Sequence, residues 1–325
     1  MLLDLLLTFG GFALLLWGAD RFVAGAEVTA SYLGVPPLLI GLTIVGFATS
    51  APEIVVAASA ASSGLTNMAV GNALGSNIAN IGLVLGTTAV IRPICGHLSK
   101  SLSSELPLLV LLTPATMLLF LDHRLSRIEA GILLGCMILF LAWMARLGIR
   151  LSNEPDGDQL AADVVAEIPR DMSKLQALVW LLFGFVVLIA GAQMLVTGAE
   201  SLARAFGISN LVIGLTVVAV GTSLPELAVS VVAALKGETG IAVGNVIGSN
   251  VFNLLAVVGV AGWINPASLD SSILSFHYPV MIAFTVPLLF IAYNPFGQKG
   301  LGRGMGIVLL IAFFAYHTAL LSGAI

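Results

Sequence analysis

"VGFATSAPEIVVAAS", residues 45–59, and "VAVGTSLPELAVSVV", residues 218–232, hold the same polar centre inside apolar flanks. Thr49, Ser50, Pro52 and Glu53 in the first match Thr222, Ser223, Pro225 and Glu226 in the second. The separation is constant, since 226 − 53 = 173. The same offset carries "AVGNALGSNIAN" (69–80) onto "AVGNVIGSNVFN" (242–253), and "GADRFVAGAE" (18–27) onto "GAQMLVTGAE" (191–200). It holds without a gap from about Gly18 to Gly86, too long for coincidence. The chain is therefore built from two copies of one unit.

Composition decides the solvent of that unit. Of 325 residues, 58% are hydrophobic and 9% charged, with a mean hydropathy of +1.07. A soluble domain carries about 25% charged residues, so this chain cannot cover itself with a charged surface. A membrane protein with many spans is the class that remains, and lipid-exposed irregular backbone is excluded, so the spans are helices. A span needs roughly 20 apolar residues. The pattern predicts an all-α integral membrane fold of about ten helices, near 2–31, 36–62, 67–92, 104–121, 126–148, 173–204, 210–235, 240–264, 271–293 and 304–323. The apolar start has no clear cleavage context and is read as the first span.

The polar stretch "RLSNEPDGDQLAADVVAEIPRDMSK" (150–174) separates five predicted helices from five. The expected organisation is a first repeat over 1–149, an acidic linker over 150–172 and a second repeat over 173–325. Five is odd, so the second copy enters the membrane from the opposite side. An inverted repeat of this kind is a transporter design, with the site at the midplane between the halves. Loops and ends on the linker side hold Arg92, Lys100, Arg146, Arg150, Arg170, Lys174, Lys236, Lys299 and Arg303, against Arg124, Arg127 and Arg204 opposite. The positive-inside rule then puts the linker in the cytoplasm and both termini outside.

A carboxylate at mid-membrane is costly unless it faces a partner or a water-filled cavity. Glu53 and Glu226 have no Lys or Arg near them in sequence. Thr49 precedes Glu53 by four residues and Ser50 by three, so all three share a helix face. Pro52 and Pro225 lack an N–H and leave the carbonyls of Ala48 and Gly221 without their helical partners. The next helix of each half adds Ser76 and Asn80, and Ser249 and Asn253. This set is all oxygen, which favours hard cations such as sodium, calcium and magnesium. Calcium, with 6–8 oxygen ligands, suits it best. Sharing of ligands by competing cations is the physical basis of antiport. The pairs Gly71/Gly75 and Gly244/Gly248 read as close-packing faces. Cys95 and Cys136 lack metal-ligand spacing and read as free thiols in apolar helix. Glu27 and Glu200, repeat mates, read as interfacial. The four histidines read as lying in loops or near helix ends. No nucleophile–base set or zinc motif supports an enzyme, and no basic tract suggests nucleic acid.

"GFATSAPE" with "GNALGSNIAN", and "AVGTSLPE" with "GNVIGSNVFN", resemble the doubled α-repeats of the sodium/calcium exchangers, within the calcium/cation antiporters. The resemblance covers about 36–86 and 210–259. It implies two inverted halves of five helices and four ion sites at the centre. It makes Glu53 and Glu226 the principal calcium ligands, aided by Thr49, Thr222 and the backbone carbonyls of Gly46 and Ala219. It places Ser50, Ser223, Ser76 and Ser249 at sodium sites, with Asn80 and Asn253 completing the centre. The implied cycle exchanges three sodium ions for one calcium, with the first and sixth helices sliding past the core. Asn253 stands where potassium-dependent relatives resemble "GSNIFD", so the chain is more similar to the potassium-independent branch, in the compact prokaryotic form. A proton-coupled cation antiporter of the same fold, and a passive cation channel, are the alternatives that the residues leave open. Calcium and sodium are expected as cargo, with no cofactor.

Overall fold

The structure is a computed structural model that describes residues 2–32, 46–95, 100–152, 172–236, 239–289 and 300–322. Helix α1 (Leu2–Tyr32) leads to a broken helix, α2 (Gly46–Thr49) and α3 (Ala51–Ser62). Then come α4 (Thr66–Ile91), α5 (Lys100–Leu119) and α6 (Arg127–Ser152). The second half follows with α7 (Lys174–Phe206), a broken helix of α8 (210–222) and α9 (Leu224–Lys236), then α10 (239–264), α11 (273–285) and α12 (Arg303–Leu321). Among the described residues, six helices are long and apolar enough to cross a membrane, and four shorter apolar helices accompany them. The predicted linker lies mostly outside the described residues; α6 continues to Ser152, past its predicted start.

Large apolar side chains point outward along the helices. Leu182, Phe183, Val186 and Ile189 of α7 are exposed, as are Ile307, Val308, Ile311 and Phe314 of α12. The polar groups go inside: Glu53, Glu226, Asn72, Asn80, Ser249 and Asn253 are fully buried. This inversion of the soluble pattern is what a lipid solvent requires.

α1 packs along the length of α7. Gly11, Gly18 and Gly25 recur every seven residues, and their repeat mates Gly184, Gly191 and Gly198 do the same on α7. A Cβ on Gly18 would sit 2.7 Å from the backbone nitrogen of Leu188, and one on Gly191 2.6 Å from that of Leu15. Only glycine allows the two backbones to approach this closely.

Each half reaches across into the other. α4 packs on α8: a Cβ on Gly71 would meet the Leu211 carbonyl at 2.7 Å, and one on Gly75 the Leu215 carbonyl at the same distance. α10 meets α2 in the mirrored arrangement. The Gly71/Gly75 face therefore serves the broken helix of the opposite half, not the preceding helix of its own.

Two short strand pairs, absent from the expected all-helical pattern, join the halves at their surfaces. β1 (Ile94–Cys95) pairs antiparallel with β4 (Gly300–Leu301), Ile94 opposite Leu301. β2 (Arg124–Leu125) pairs with β3 (Ala267–Ser268), Arg124 opposite Ser268. Beside the second pair, Asn67 accepts from the Asp270 N–H at 3.0 Å, and Asn265 donates to Thr66 at 2.9 Å.

One expectation needs correction, and others gain detail. Cys95 lies in a strand, not a helix, while Cys136 is an exposed free thiol on α6. His277 and His317 are buried inside the bundle, and His277 Nδ1 meets the Tyr316 hydroxyl at 2.9 Å. The aromatic rings of Phe276 and Phe313 shield them, which a position near a helix end did not suggest. The side chain of Glu27 lies outside the described ones; Glu200 on α7 is half-buried.

Candidate cation-binding site

The breaks anticipated from Pro52 and Pro225 are present, and each is one residue wide. Ser50 (φ −86°, ψ 0°) separates α2 from α3, and Ser223 (φ −83°, ψ 2°) separates α8 from α9. Proline at the start of α3 costs nothing there, because the first turn's N–H groups have no helical partner. The Ile54 N–H still reaches the Ser50 carbonyl at 3.2 Å, and the Leu227 N–H the Ser223 carbonyl at 3.1 Å. The kink turns Glu53 and Glu226 inward at the first turn of a new helix.

A second irregularity sits opposite the kinks. α4 widens into a π turn over Asn80–Leu85, and α10 over Asn253–Val257. Asn80 and Asn253 each begin that turn. π turns inside α-helices mark functional places, since the extra residue re-aims a side chain. A further π turn, Gly214–Val218, immediately precedes Ala219.

The two halves meet on these residues. Glu53 faces Thr222 and Glu226 across the seam, and Glu226 faces Thr49, Ser50 and Ser249. Ser249 donates to Glu226 Oε1 at 3.3 Å. Ser76 Oγ lies 3.4 Å from both the Thr222 hydroxyl and the Ala219 carbonyl. Thr49 Oγ1 and Ser249 Oγ are 3.5 Å apart. Glu53, Glu226, Thr49, Thr222, Ser50, Ser223, Ser76, Ser249 and Ala219 thus gather in one buried cluster. Asn80 and Asn253 are equally buried. Gly46 opens α2, one turn before Ser50.

Burial without partners is the feature that defines this cluster. Among the described residues, both carboxylate oxygens of Glu53, Glu226 Oε2, the hydroxyls of Ser50 and Ser223, and the amide oxygens of Asn77, Asn80 and Asn253 are buried with no hydrogen-bond partner. Native proteins leave few buried polar groups unsatisfied, and each such group calls for an explanation. An assembly of orphaned oxygens carrying two carboxylates fits a hard cation.

Four asparagines escaped the sequence reading. Asn245 accepts from the Thr49 hydroxyl at 3.2 Å, and its repeat mate Asn72 accepts from the Thr222 hydroxyl at 3.3 Å. Asn80 donates to Asn250 Oδ1 at 3.1 Å, and Asn77 donates to the Asn250 carbonyl at 3.4 Å. The halves differ here, since Asn253 has neither amide atom partnered. The signal was available: "AVGN" and "GSN" are identical in both copies.

The family model for the sodium/calcium exchanger proteins matches residues 3–146 and 176–321. The chain belongs to the sodium/calcium exchanger family. It is 38% identical to the inner membrane protein YrbG of Escherichia coli, over 97% of this chain and 96% of that one. It is 30% identical to the sodium/calcium exchanger MaX1 of Methanosarcina acetivorans, over 95% and 96%. Among solved structures, it is similar to the sodium-calcium exchanger NCX_Mj soaked with Na+ and Sr2+, with a TM-score of 0.67 and 32% identity over 98% of this chain and 99% of that one. This family member is thus a cation antiporter of the membrane, and the expected helical membrane class and transport class hold.

Proposed function

We propose that the protein exchanges sodium for calcium across a prokaryotic plasma membrane by alternating access, and that it extrudes calcium electrogenically. One observation carries the reading: two buried carboxylates, Glu53 and Glu226, face each other at helix starts from opposite halves, among oxygens that lack partners. Two negative charges match one divalent cation. Glu53 and Glu226 are its principal ligands, with Thr49, Thr222 and the carbonyls of Gly46 and Ala219. Ser50, Ser223, Ser76 and Ser249 hold sodium beside it, and Asn80 and Asn253 close the centre. Because the two cations share carboxylates, binding of one opposes the other, and this couples their flows. The halves are inverted repeats over 1–149 and 173–325, with the linker 150–172 in the cytoplasm and both termini outside.

The test is uptake of calcium-45 by proteoliposomes loaded with sodium and diluted into sodium-free buffer. Uptake that needs the sodium gradient, and is absent with choline inside, is the expected result. Uptake driven by a pH gradient without sodium would reassign the protein to proton-coupled exchange.

A further inference from the structure

Asn77 and Asn80 on α4 recur as Asn250 and Asn253 on α10, since 250 − 77 = 253 − 80 = 173. The π turn that starts at Asn80 packs against α10, and the π turn that starts at Asn253 packs against α4. Residue types and packing are thus the same on both sides of the crossing. The bonding is not. Asn80 Nδ2 lies 3.1 Å from Asn250 Oδ1. In the mirrored position, neither amide atom of Asn253 has a partner, and Asn77 Oδ1 has no donor. All four side chains are buried.

The orientation of Asn77 follows from its network. Its Nδ2 lies 3.4 Å from the Asn250 carbonyl, which only accepts. The NH2 group is therefore on that side, and Oδ1 is the free acceptor. A buried amide left without a partner costs stability. One half thus holds a spare acceptor and the other a spare donor of matching kind. The carboxylates differ in the same way. Ser249 donates to Glu226 Oε1 at 3.3 Å, while its mate Ser76 turns to the Ala219 carbonyl at 3.4 Å and both Glu53 oxygens stay unpartnered.

Local sequence does not explain a difference between identical residues. Where the halves differ in sequence, a one-sided bond is permanent: Asn245 Nδ2 reaches Ser230 Oγ at 3.2 Å, and the mate of Ser230 is Ala57. At the four asparagines the mirrored arrangement offers the same bonds, so it has the same local energy. Alternating access in an inverted repeat moves one repeat against the other around a fixed site. Two arrangements of equal local energy, one for each facing state, suit that motion.

We infer that Asn250 and Asn77 are positioning residues that act in turn: Asn250 holds Asn80 in the state seen here, and Asn77 holds Asn253 in the oppositely facing state. One cross-half amide bond opens as its mirror image closes. This rests on the reading of the protein as an alternating-access antiporter.

The experiment compares Asn250→Leu, Asn77→Leu and the double variant of the full-length protein in right-side-out and everted membrane vesicles. The readout is the ratio of the calcium KM at the two faces, for sodium-driven calcium-45 uptake. That ratio follows the balance between the two states. Asn250→Leu removes the 3.1 Å bond from the state seen here, and from the other state only a contact like the 3.4 Å one that Asn77 makes. The ratio should therefore move roughly threefold, within the worth of one neutral hydrogen bond. Asn77→Leu should move it about as far in the opposite direction, and the double variant should return it to the wild-type value. A merely structural role would lower uptake or melting temperature without shifts of opposite sign. Shifts of the same sign, or no shift in either variant, overturn the inference. Alanine at the same position replaces a leucine that does not fold. Hydrogen exchange of α3 and α9 in detergent reads the same balance without cargo, and the two variants should change it in opposite senses. If the wild type shows no sodium-driven uptake, the transport reading fails and the exchange comparison decides the inference. Opposite changes then support it, and like changes overturn it.

Discussion

The ring of Phe12 on α1 is seated directly on Gly221, the residue before Thr222, with no room for a Cβ between them. Its repeat mate Phe185 on α7 is 40% exposed and rests against Phe22, at 5.8 Å between centroids. The position matching Gly221 in the first half is Ala48. The halves are thus related in sequence but not in the packing of these two rings. Gly221→Ala should push the Phe12 ring off its seat and slow exchange. Phe12→Leu in the same protein should restore at least half of the lost rate. Uptake rates for the two variants, normalised to folded protein, check this.

Glu53→Gln and Glu226→Gln should each reduce calcium uptake to the background of empty liposomes. Neither should lower the melting temperature in the absence of calcium. A buried carboxylate without a counter-charge is a burden on the fold, and an amide of the same shape relieves it. The stabilisation given by added calcium should vanish in both. Melting curves with and without calcium, alongside transport, make the comparison.

Gly18→Ala and Gly191→Ala should lower stability by about 1–3 kcal/mol, since the new methyl meets backbone that has no rotamer to yield. Gly135→Ala on α6, where a Cβ meets nothing within 4 Å, should be neutral or stabilising by up to about 1 kcal/mol through helix propensity. Thermal unfolding in detergent distinguishes the two sets.

Asp270 holds the surface turn before α11. Its Oδ1 accepts from the Ser272 N–H at 2.9 Å and from the Ser272 hydroxyl at 2.6 Å. These bonds hold its carboxyl below the ordinary aspartate value of 3.8. A depressed value means that the contribution is present above 3.8 and fades as pH falls through the lowered value. The group is largely exposed, so the effect is under about 1 kcal/mol. Wild type and Asp270→Ala should differ in melting temperature at neutral pH and converge in acid. A pH series of melting curves tests this.

Much of the centre was legible because it occurs twice. A single Thr-Ser-x-Pro-Glu in an apolar run is ambiguous; the copy 173 residues on, with Ser and Asn following at the same spacing, is not. Glu53, Glu226 and their serines could therefore be named before any coordinates. Asn72 and Asn245 are doubled just as plainly in "AVGN", but their partners, Thr222 and Thr49, follow only from the crossing of α4 and α10 into the opposite halves. The π turns at Asn80 and Asn253 could not be read either, since the preference for an extra residue in a turn leaves no periodic trace in an apolar helix. His277 and His317 lie near helix ends, as expected, and yet both are buried. Distance from a helix end says little about burial when neighbouring rings close over the side chain.

The strand pairs set an order on the making of the protein. Ile94 and Cys95 emerge early, yet the strand that completes them, Gly300–Leu301, is separated from them by most of the chain. Arg124 and Leu125 likewise wait for Ala267 and Ser268. While the ribosome is still working, the first half is inserted with its edges unfilled. A chain truncated before Gly300 would carry both sets of carboxylates and still lack the last seam. Closure of the molecule is thus a late event in its synthesis, and the first half cannot finish without the second.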